Sequence, residues 1–127
     1  MSFNRRANSQ NHYQGQRKKV LCVCSAGLLR SPTLAWILSN EPFGYNTRAV
    51  GTSQEYALIP MDDVHLHWAD AVVFVDAGNH RAAMYEHSEA INNMECHVLS
   101  IPDQFPFRDE ELVKIATEQL KEAFGVE

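Results

Sequence analysis

One cysteine and one arginine in the sequence have the spacing of a loop that binds an anion. Cys24 and Arg30 are separated by five residues, and Ser31 follows the arginine. Five residues are enough for the chain to curl once, so that successive backbone N–H groups point to a common centre. The guanidinium of Arg30 adds a planar fork that matches two oxygens of a phosphate. The predicted contacts to such an anion come from Arg30 and from the residues Ser25, Ala26, Gly27, Leu28, Leu29 and Ser31.

The chemistry of this loop depends on the ionisation of Cys24. An arginine and a helix N-terminus both favour the thiolate form of a neighbouring cysteine, and the thiolate is the nucleophile. The hydroxyl of Ser31 can also form a hydrogen bond with that sulfur. A thiolate beside a bound phosphate group predicts attack of sulfur on phosphorus. The alternative is that Cys24 is a small buried residue at the end of a strand and that Arg30 is a surface cation.

Alternating strand-like and helix-like segments flank the loop. The apolar run 20–23 predicts a strand covered on both faces, and Ser31 and Pro32 are residues that begin a helix. Further strands are predicted at 47–51, 71–75 and 97–101, and further helices at 60–68, 79–87 and after Asp109. This order predicts an α/β fold of three layers, in which a four-stranded parallel sheet is flanked by helices. The phosphate loop then lies between the first strand and the first helix.

Polar residues follow the predicted strands at the edge where parallel sheets bind ligands. Asp103 is the candidate general acid, and a turn residue after Pro102 is the alternative. Asp76 and Asn79 are predicted to brace the phosphate loop, and helix capping is the other explanation for them. Weaker acid candidates, each explained by a place at the start of a helix, are Asp62, Asp63 and Asp109.

Four motifs resemble the low-molecular-weight protein tyrosine phosphatase family. The first is the C-x5-R-S loop after the first strand. Residues 49–53, Ala-Val-Gly-Thr-Ser, resemble the second strand of that family and its exit, and residues 68–79 resemble its A-D…D-x-x-N segment. Residues 101–105, Ile-Pro-Asp-Gln-Phe, resemble its acid loop, which usually reads Asp-Pro-aromatic. Together the motifs cover most of residues 19–127, though discontinuously.

The resemblance implies a protein tyrosine phosphatase that requires no metal and no other cofactor. In the reaction of that family, Cys24 attacks phosphorus to form a phosphocysteine, and Asp103 protonates the leaving phenolate and then activates water. The implied partner is a phosphotyrosine protein or a small aryl phosphate, and we expect a monomer. Tyr56 and Phe105 would wall an aromatic pocket that favours phosphotyrosine, although core packing explains Phe105 equally well.

The loop departs from the pattern of that family. Where the family reads G-N-x-C, this chain reads A-G-L-L, so a bracing asparagine and a second cysteine are absent from the loop. The sequence C-S-A-G instead resembles the loop of the larger tyrosine phosphatases. Those enzymes carry their acid well before the cysteine, whereas only 23 residues, most of them polar, precede Cys24. The acid must therefore follow the loop, as it does in the small family.

Length and charge restrict the organisation of the chain. Its 127 residues suit one domain with a core. Residues 1–19 carry five basic groups and no acidic one, whereas the remainder carries six basic and 16 acidic groups. This distribution predicts a flexible basic extension at 1–18 and a phosphatase domain at 19–127. The negative charge of that domain argues against nucleic acid as the main partner.

Apolar runs and cysteines indicate the compartment. No apolar run approaches the ~20 residues that a bilayer requires, and the polar N-terminal segment does not resemble a secretory signal, so we expect no membrane partner. Three cysteines without a disulfide-framework spacing fit reduced thiols in the cytoplasm. Cys22 is predicted to pack on the side away from the site. A metal site at His65 and His67 is disfavoured, because that segment reads as helical and nothing completes the ligand set.

Three other functions fit parts of the sequence. An arsenate reductase would need two further cysteines for an exchange relay, and only Cys96 lies downstream of the loop. A sugar-transport phosphocarrier uses a similar loop without hydrolysis, but Arg30 together with Asp103 favours turnover. A phosphopeptide-binding module would keep Arg30 and would need neither an ionised Cys24 nor an acid.

Overall fold

Strands and helices alternate along the chain. The computed structural model describes residues 8–9, 17–25, 30–53, 57, 59–102, 104–105 and 108–126. In chain order the elements are β1 (Asn8–Ser9), β2 (Lys19–Cys24), α1 (Arg30–Ser39), β3 (Asn46–Gly51), α2 (Asp63–Trp68), β4 (Ala71–Phe74), α3 (Ala77–Asn92), β5 (Glu95–Val98) and α4 (Glu110–Phe124). From β2 onward each strand is followed by a helix, which is the connection that parallel strands require.

The strands form one sheet in the order β1-β3-β2-β4-β5. β2 pairs in parallel with β3 and β4, and β4 pairs in parallel with β5. The predicted four-stranded parallel sheet flanked by helices is therefore confirmed. The two-residue strand β1 adds an antiparallel pairing at the outer side of β3. β1 lies in the arm that the composition predicts to be an extension, and the domain boundary at residue 18 stays a prediction.

Helices cover both faces of the sheet, because the central strand is apolar on both sides. Val20 and Cys22 of β2 pack in one core cluster with buried residues of α1 and α4, whereas Leu21 and Val23 pack in a second cluster with residues of α2 and α3. Continuous apolar sequence in β2 is thus explained by burial on two faces rather than one. The strand that carries Cys24 at its end is therefore covered by helices on both faces.

Aspartates begin three of the helices. The side chain of Asp76 accepts a hydrogen bond from Asn79 N at the start of α3, and that of Asp109 accepts from Glu111 N at the start of α4. At the start of α2, Asp62 accepts from His65 N, while the His65 ring accepts from Asp62 N. Each carboxylate satisfies backbone donors that the first helical turn leaves unpaired.

Some predicted element boundaries are wrong by a few residues. The sequence predicts Pro60 inside a helix, but it forms a parallel bridge with Gly51, so α2 begins only at Asp63. α3 continues to Asn92, past His87, where the backbone angles leave the helical region. The last strand also comes earlier than expected, at Glu95–Val98.

In the described part of the chain, no helix combines the length and the apolar character needed to cross a membrane.

Truncation of a side chain between α4 and the sheet should destabilise the fold. Leu120 is fully buried, so Leu120→Ala should lower the free energy of unfolding by about 2–5 kcal/mol through lost transfer energy and the remaining cavity. Chemical denaturation measures this change. Glu118→Ala, at an exposed position of the same helix, serves as the control and should stay within about 0.5 kcal/mol. Equal effects of the two substitutions would contradict this packing of α4.

Candidate active site

Three strand ends and one connection meet at the carboxyl edge of the sheet. Cys24 is in register with Gly51, and Thr52 N donates to Cys24 O at 2.9 Å. Beyond β4, Val75 N donates to Val23 O, and Val75 O accepts from Ile101 N, each at 3.0 Å. The end of β2 therefore lies between the exits of β3 and β4, with the connection after β5 next to β4. This is the edge at which the sequence predicts ligand binding.

Cys24 and Ser31 contact each other in the interior. Cys24 is only 3% exposed, and its Sγ lies 3.1 Å from Ser31 Oγ. The same hydroxyl is 3.3 Å from Val50 O, to which it can donate. A hydroxyl has one proton, so it donates to the carbonyl when Cys24 is a thiol, and can turn to the sulfur when Cys24 is a thiolate. The pair can therefore accommodate both charge states of the sulfur.

Arg30 is held in place by two acceptors from distant parts of the chain. It is the first residue of α1, and its side chain is 4% exposed. Its Nη1 donates to Asp76 Oδ2 and to Ile101 O, both at 2.8 Å. A buried guanidinium needs such partners, because an unpaired charge in the interior is strongly destabilising. The planar side chain is thus fixed at the edge of the sheet, six residues after Cys24.

Asp76 contacts both Arg30 and the first turn of α3. Its Oδ2 binds Arg30, while its Oδ1 accepts from Asn79 N at 2.8 Å and from Asn79 Nδ2 at 2.9 Å. Burial acts to raise the pKa of Asp76, but the hydrogen bonds from Arg30 and Asn79 and the charge of Arg30 outweigh burial and lower this pKa below its ordinary value. The carboxylate therefore stays ionised, caps α3 and neutralises Arg30 at the same time.

Asn79 extends this network to the loop itself. Its side chain is buried, and its Oδ1 accepts from Ser25 Oγ at 3.2 Å and from Thr52 Oγ1 at 2.9 Å. Ser53 N also donates to Ser25 O at 3.0 Å. Thr52 was not among the predicted site residues, and its signal in the sequence was the Gly-Thr exit of the second strand. The first residue after Cys24 is consequently held from two neighbouring elements.

The other two cysteines lie in less reactive surroundings. Cys22 is completely buried, and burial, with a smaller effect of Cys24, raises its pKa far above the ordinary thiol value. It shares a core cluster with Cys24 and so lies on the same face of the sheet, rather than on the side away from the site, where it packs among apolar residues. Cys96 is half-buried, and burial followed by the charge of Glu95 raises its pKa. Both thiols are therefore poor nucleophiles compared with an exposed cysteine.

Several predicted site residues lie outside the described residues. They are Ala26, Gly27, Leu28, Leu29, Tyr56 and Asp103. Their assignments remain predictions. Phe105 is described, is 7% exposed and belongs to the core cluster under α1 and α4. That position favours the packing role that the sequence left open for it over a role as a pocket wall.

Histidines and carboxylates do not assemble into a metal site in the described ranges. No group of three or more His, Cys, Asp or Glu side chains with the required proximity occurs among those residues. His65 lies in α2, as its segment predicted, and pairs with the capping residue Asp62. Burial is the largest influence on its pKa and lowers it, with Asp62 opposing this effect and Arg48 adding to it.

Removing the charge of Asp76 should change how the free energy of unfolding depends on pH. Because the folded-state pKa of Asp76 lies below the ordinary value of 3.8, its stabilising contribution is present above that value and is lost as the pH falls through the folded-state pKa. Asp76→Asn should lower the free energy of unfolding by about 1–3 kcal/mol at about pH 7, since Arg30 loses its charged acceptor. The difference from wild type should narrow as the pH falls below the ordinary value of 3.8. Denaturation at several pH values measures this, and a constant difference would contradict the assignment.

Comparisons by sequence and by structure give different results. No protein-family model and no curated protein matches the sequence. Solved structures do match, among them the YwlE arginine phosphatase from Geobacillus stearothermophilus, at 18% identity over 84% of this chain and 88% of that chain, with a TM-score of 0.62. Wzb from Vibrio vulnificus, in complex with benzylphosphonate, matches at 18% identity over 84% and 94%, also with 0.62.

A third match carries the family name. The low-molecular-weight phosphotyrosine phosphatase VcLMWPTP-2 from Vibrio cholerae O395 is 17% identical over 85% of this chain and 94% of that chain, with a TM-score of 0.62. At such low sequence identities, the similarity lies in the path of the backbone. It extends over nearly the whole length of each matched structure. The resemblance noted in the four sequence motifs is thereby confirmed at the level of the fold. This chain has the fold of the low-molecular-weight protein tyrosine phosphatases, at a sequence distance that makes it a divergent example of that fold.

Proposed function

We propose that the protein is a cysteine-dependent phosphomonoester hydrolase that acts on phosphotyrosine. The observation that carries this proposal is the arrangement at the start of α1. There a buried Cys24 sulfur lies 3.1 Å from the Ser31 hydroxyl, and the neighbouring Arg30 guanidinium is fixed by Asp76. A sulfur nucleophile, a donor for its anionic form and an oriented cation for phosphate oxygens are the groups that this reaction requires.

The proposed reaction has two steps. In the first, Cys24 Sγ attacks phosphorus, an S–P bond forms, the P–O bond to the tyrosine oxygen breaks, and Asp103 gives its proton to that oxygen. In the second, the Asp103 carboxylate takes a proton from water, whose oxygen attacks phosphorus while the S–P bond breaks. Inorganic phosphate and the Cys24 thiolate result, and the Ser31 hydroxyl stabilises the sulfur as it leaves. Arg30 and the loop amides bind the phosphoryl oxygens in both steps.

The choice of phosphotyrosine rests on the resemblance of the sequence motifs and on the kinds of structure that match. The matched structures include a phosphotyrosine phosphatase and an arginine phosphatase, so phosphoarginine is the substrate against which phosphotyrosine should be compared. All three cysteines are free thiols, which fits our proposal of a cytoplasmic enzyme. We further propose that the substrate is a phosphorylated protein and that the enzyme is a monomer.

Replacement of the nucleophile is the first test. With a chelator present, the wild-type protein should hydrolyse para-nitrophenyl phosphate and a phosphotyrosine peptide faster than a phosphoarginine peptide. Cys24→Ser should abolish turnover, because a hydroxyl is a far weaker nucleophile at neutral pH, and should still bind inorganic phosphate in calorimetry. Cys96→Ser is the matched control and should keep wild-type turnover. Turnover that survives Cys24→Ser would refute the proposal. Phosphate binding without turnover by the wild type would favour a binding or phosphocarrier domain.

Replacement of the acid tests the second role. Asp103→Asn should slow hydrolysis of phenyl phosphate, whose leaving oxygen needs a proton, by about 10²–10⁴-fold. Hydrolysis of 2,4-dinitrophenyl phosphate, which releases a stable phenolate, should change much less. Steady-state kcat/KM for the two substrates measures the contrast. A variant that is equally slow on both would remove Asp103 from the acid role.

A further inference from the structure

The connection between β5 and α4 is attached to the rest of the protein on both sides of Asp103 in sequence. Ile101, Phe105 and Arg108 are described residues of this connection. Phe105 is buried in the core cluster formed with α1 and α4. The other two residues make hydrogen bonds to α1, the helix that begins at Arg30. Asp103, the proposed acid, lies between these attached residues in sequence.

The first attachment is at Ile101. Its N–H donates to Val75 O at 3.0 Å, and its carbonyl accepts from Arg30 Nη1 at 2.8 Å. Ile101 is itself buried. The start of the connection is therefore fixed directly to the arginine that is proposed to bind phosphate.

The second attachment is at Arg108, and we call it the Arg108 anchor, meaning the contacts of Arg108 with Thr33 and Trp36. Arg108 N donates to Thr33 Oγ1 at 3.0 Å, and its guanidinium carbon lies 4.4 Å from the centroid of the Trp36 ring. Thr33 is completely buried, and both partners lie on α1. A guanidinium stacked on an indole combines cation–π attraction with dispersion.

The backbone of Arg108 indicates that these contacts shape the connection. Its φ is 58°, in the left-handed region that residues other than glycine seldom adopt. Such a conformation persists where surrounding contacts determine it. α4 does not need the anchor for its own start, because Asp109 caps it and Leu112, Ala116 and Leu120 are buried. The Arg108 anchor thus acts on the segment that precedes the helix.

We propose that Arg108 and Trp36 are positioning residues for Asp103. The inference rests on the proposed function. Thr33 follows Arg30 by three residues, about one helical turn, so both ends of the connection are tied to the same turn of α1 that follows the phosphate loop. One helix, α1, thereby contacts described residues on both sides of Asp103 in sequence. An acid must come within about 2.6–3.2 Å of the leaving oxygen, and a displacement of about 1 Å can cost on the order of 10²-fold in rate.

The test compares two leaving groups in variants of the anchor. Arg108→Ala and Trp36→Leu should each lower kcat/KM for phenyl phosphate on the order of 10-fold or more, and should leave 2,4-dinitrophenyl phosphate within about threefold of wild type. Arg48→Ala is the matched control, because Arg48 lies at 4.5 Å from the ring centroid of Trp68 in a similar pair on β3 and α2. It should retain wild-type rates on both substrates. Arg108→Lys, which keeps a cation at this position, should recover part of the loss.

A second measurement separates positioning from general destabilisation. In the Asp103→Asn background, Arg108→Ala should cause no additional loss on phenyl phosphate, since the group that it positions is gone. Equal losses on both substrates, no loss on either, or a further loss in that background would overturn the inference while leaving the proposed function intact. Turnover that survives Cys24→Ser, or its absence from wild type, would instead overturn the proposed function and the inference with it. Trp36→Leu decides the question if Arg108→Ala does not fold.

Discussion

The ion pair between Arg30 and Asp76 is the interaction on which the other contacts of the site depend. A guanidinium with a 4% exposed side chain requires an anionic partner, and Asp76 provides one through Oδ2 at 2.8 Å. The same carboxylate begins α3 through its other oxygen, and the same guanidinium nitrogen binds the carbonyl of Ile101. One buried charge therefore fixes the start of α1, the start of α3 and the connection after β5 relative to each other.

A side chain of α3 holds the first residue after Cys24. Asn79 accepts from Ser25 and Thr52, and its orientation is set by Asp76. The hydrogen bonds run from Arg30 through Asp76 and Asn79 to the residue after Cys24. This hydrogen-bond network gives rigidity to the described ends of the loop.

Sequence patterns predicted the features that depend on side-chain type at a regular spacing. The apolar run of β2, the aspartates at helix starts and the cysteine–arginine spacing gave the sheet, the helices and the centre of the site. The features that sequence patterns did not predict depend on single backbone groups or on pairs of residues far apart in the chain. Examples are the Ile101 carbonyl, the contact of Thr52 with Asn79 and the bridge of Pro60 with Gly51. Periodicity contains no information on such contacts, because tertiary packing alone brings their partners together.

The single proton of Ser31 has a consequence for how the site can be observed. It points to the carbonyl of Val50 or to the sulfur of Cys24, over distances of 3.3 Å and 3.1 Å. Whenever the sulfur becomes negative and takes that proton's hydrogen bond, the carbonyl at the end of β3 loses a donor. The peptide group between Val50 and Gly51 is consequently an internal reporter of the charge on the sulfur. Its amide nitrogen resonance and carbonyl stretching frequency register the state of the nucleophile without any label on the cysteine.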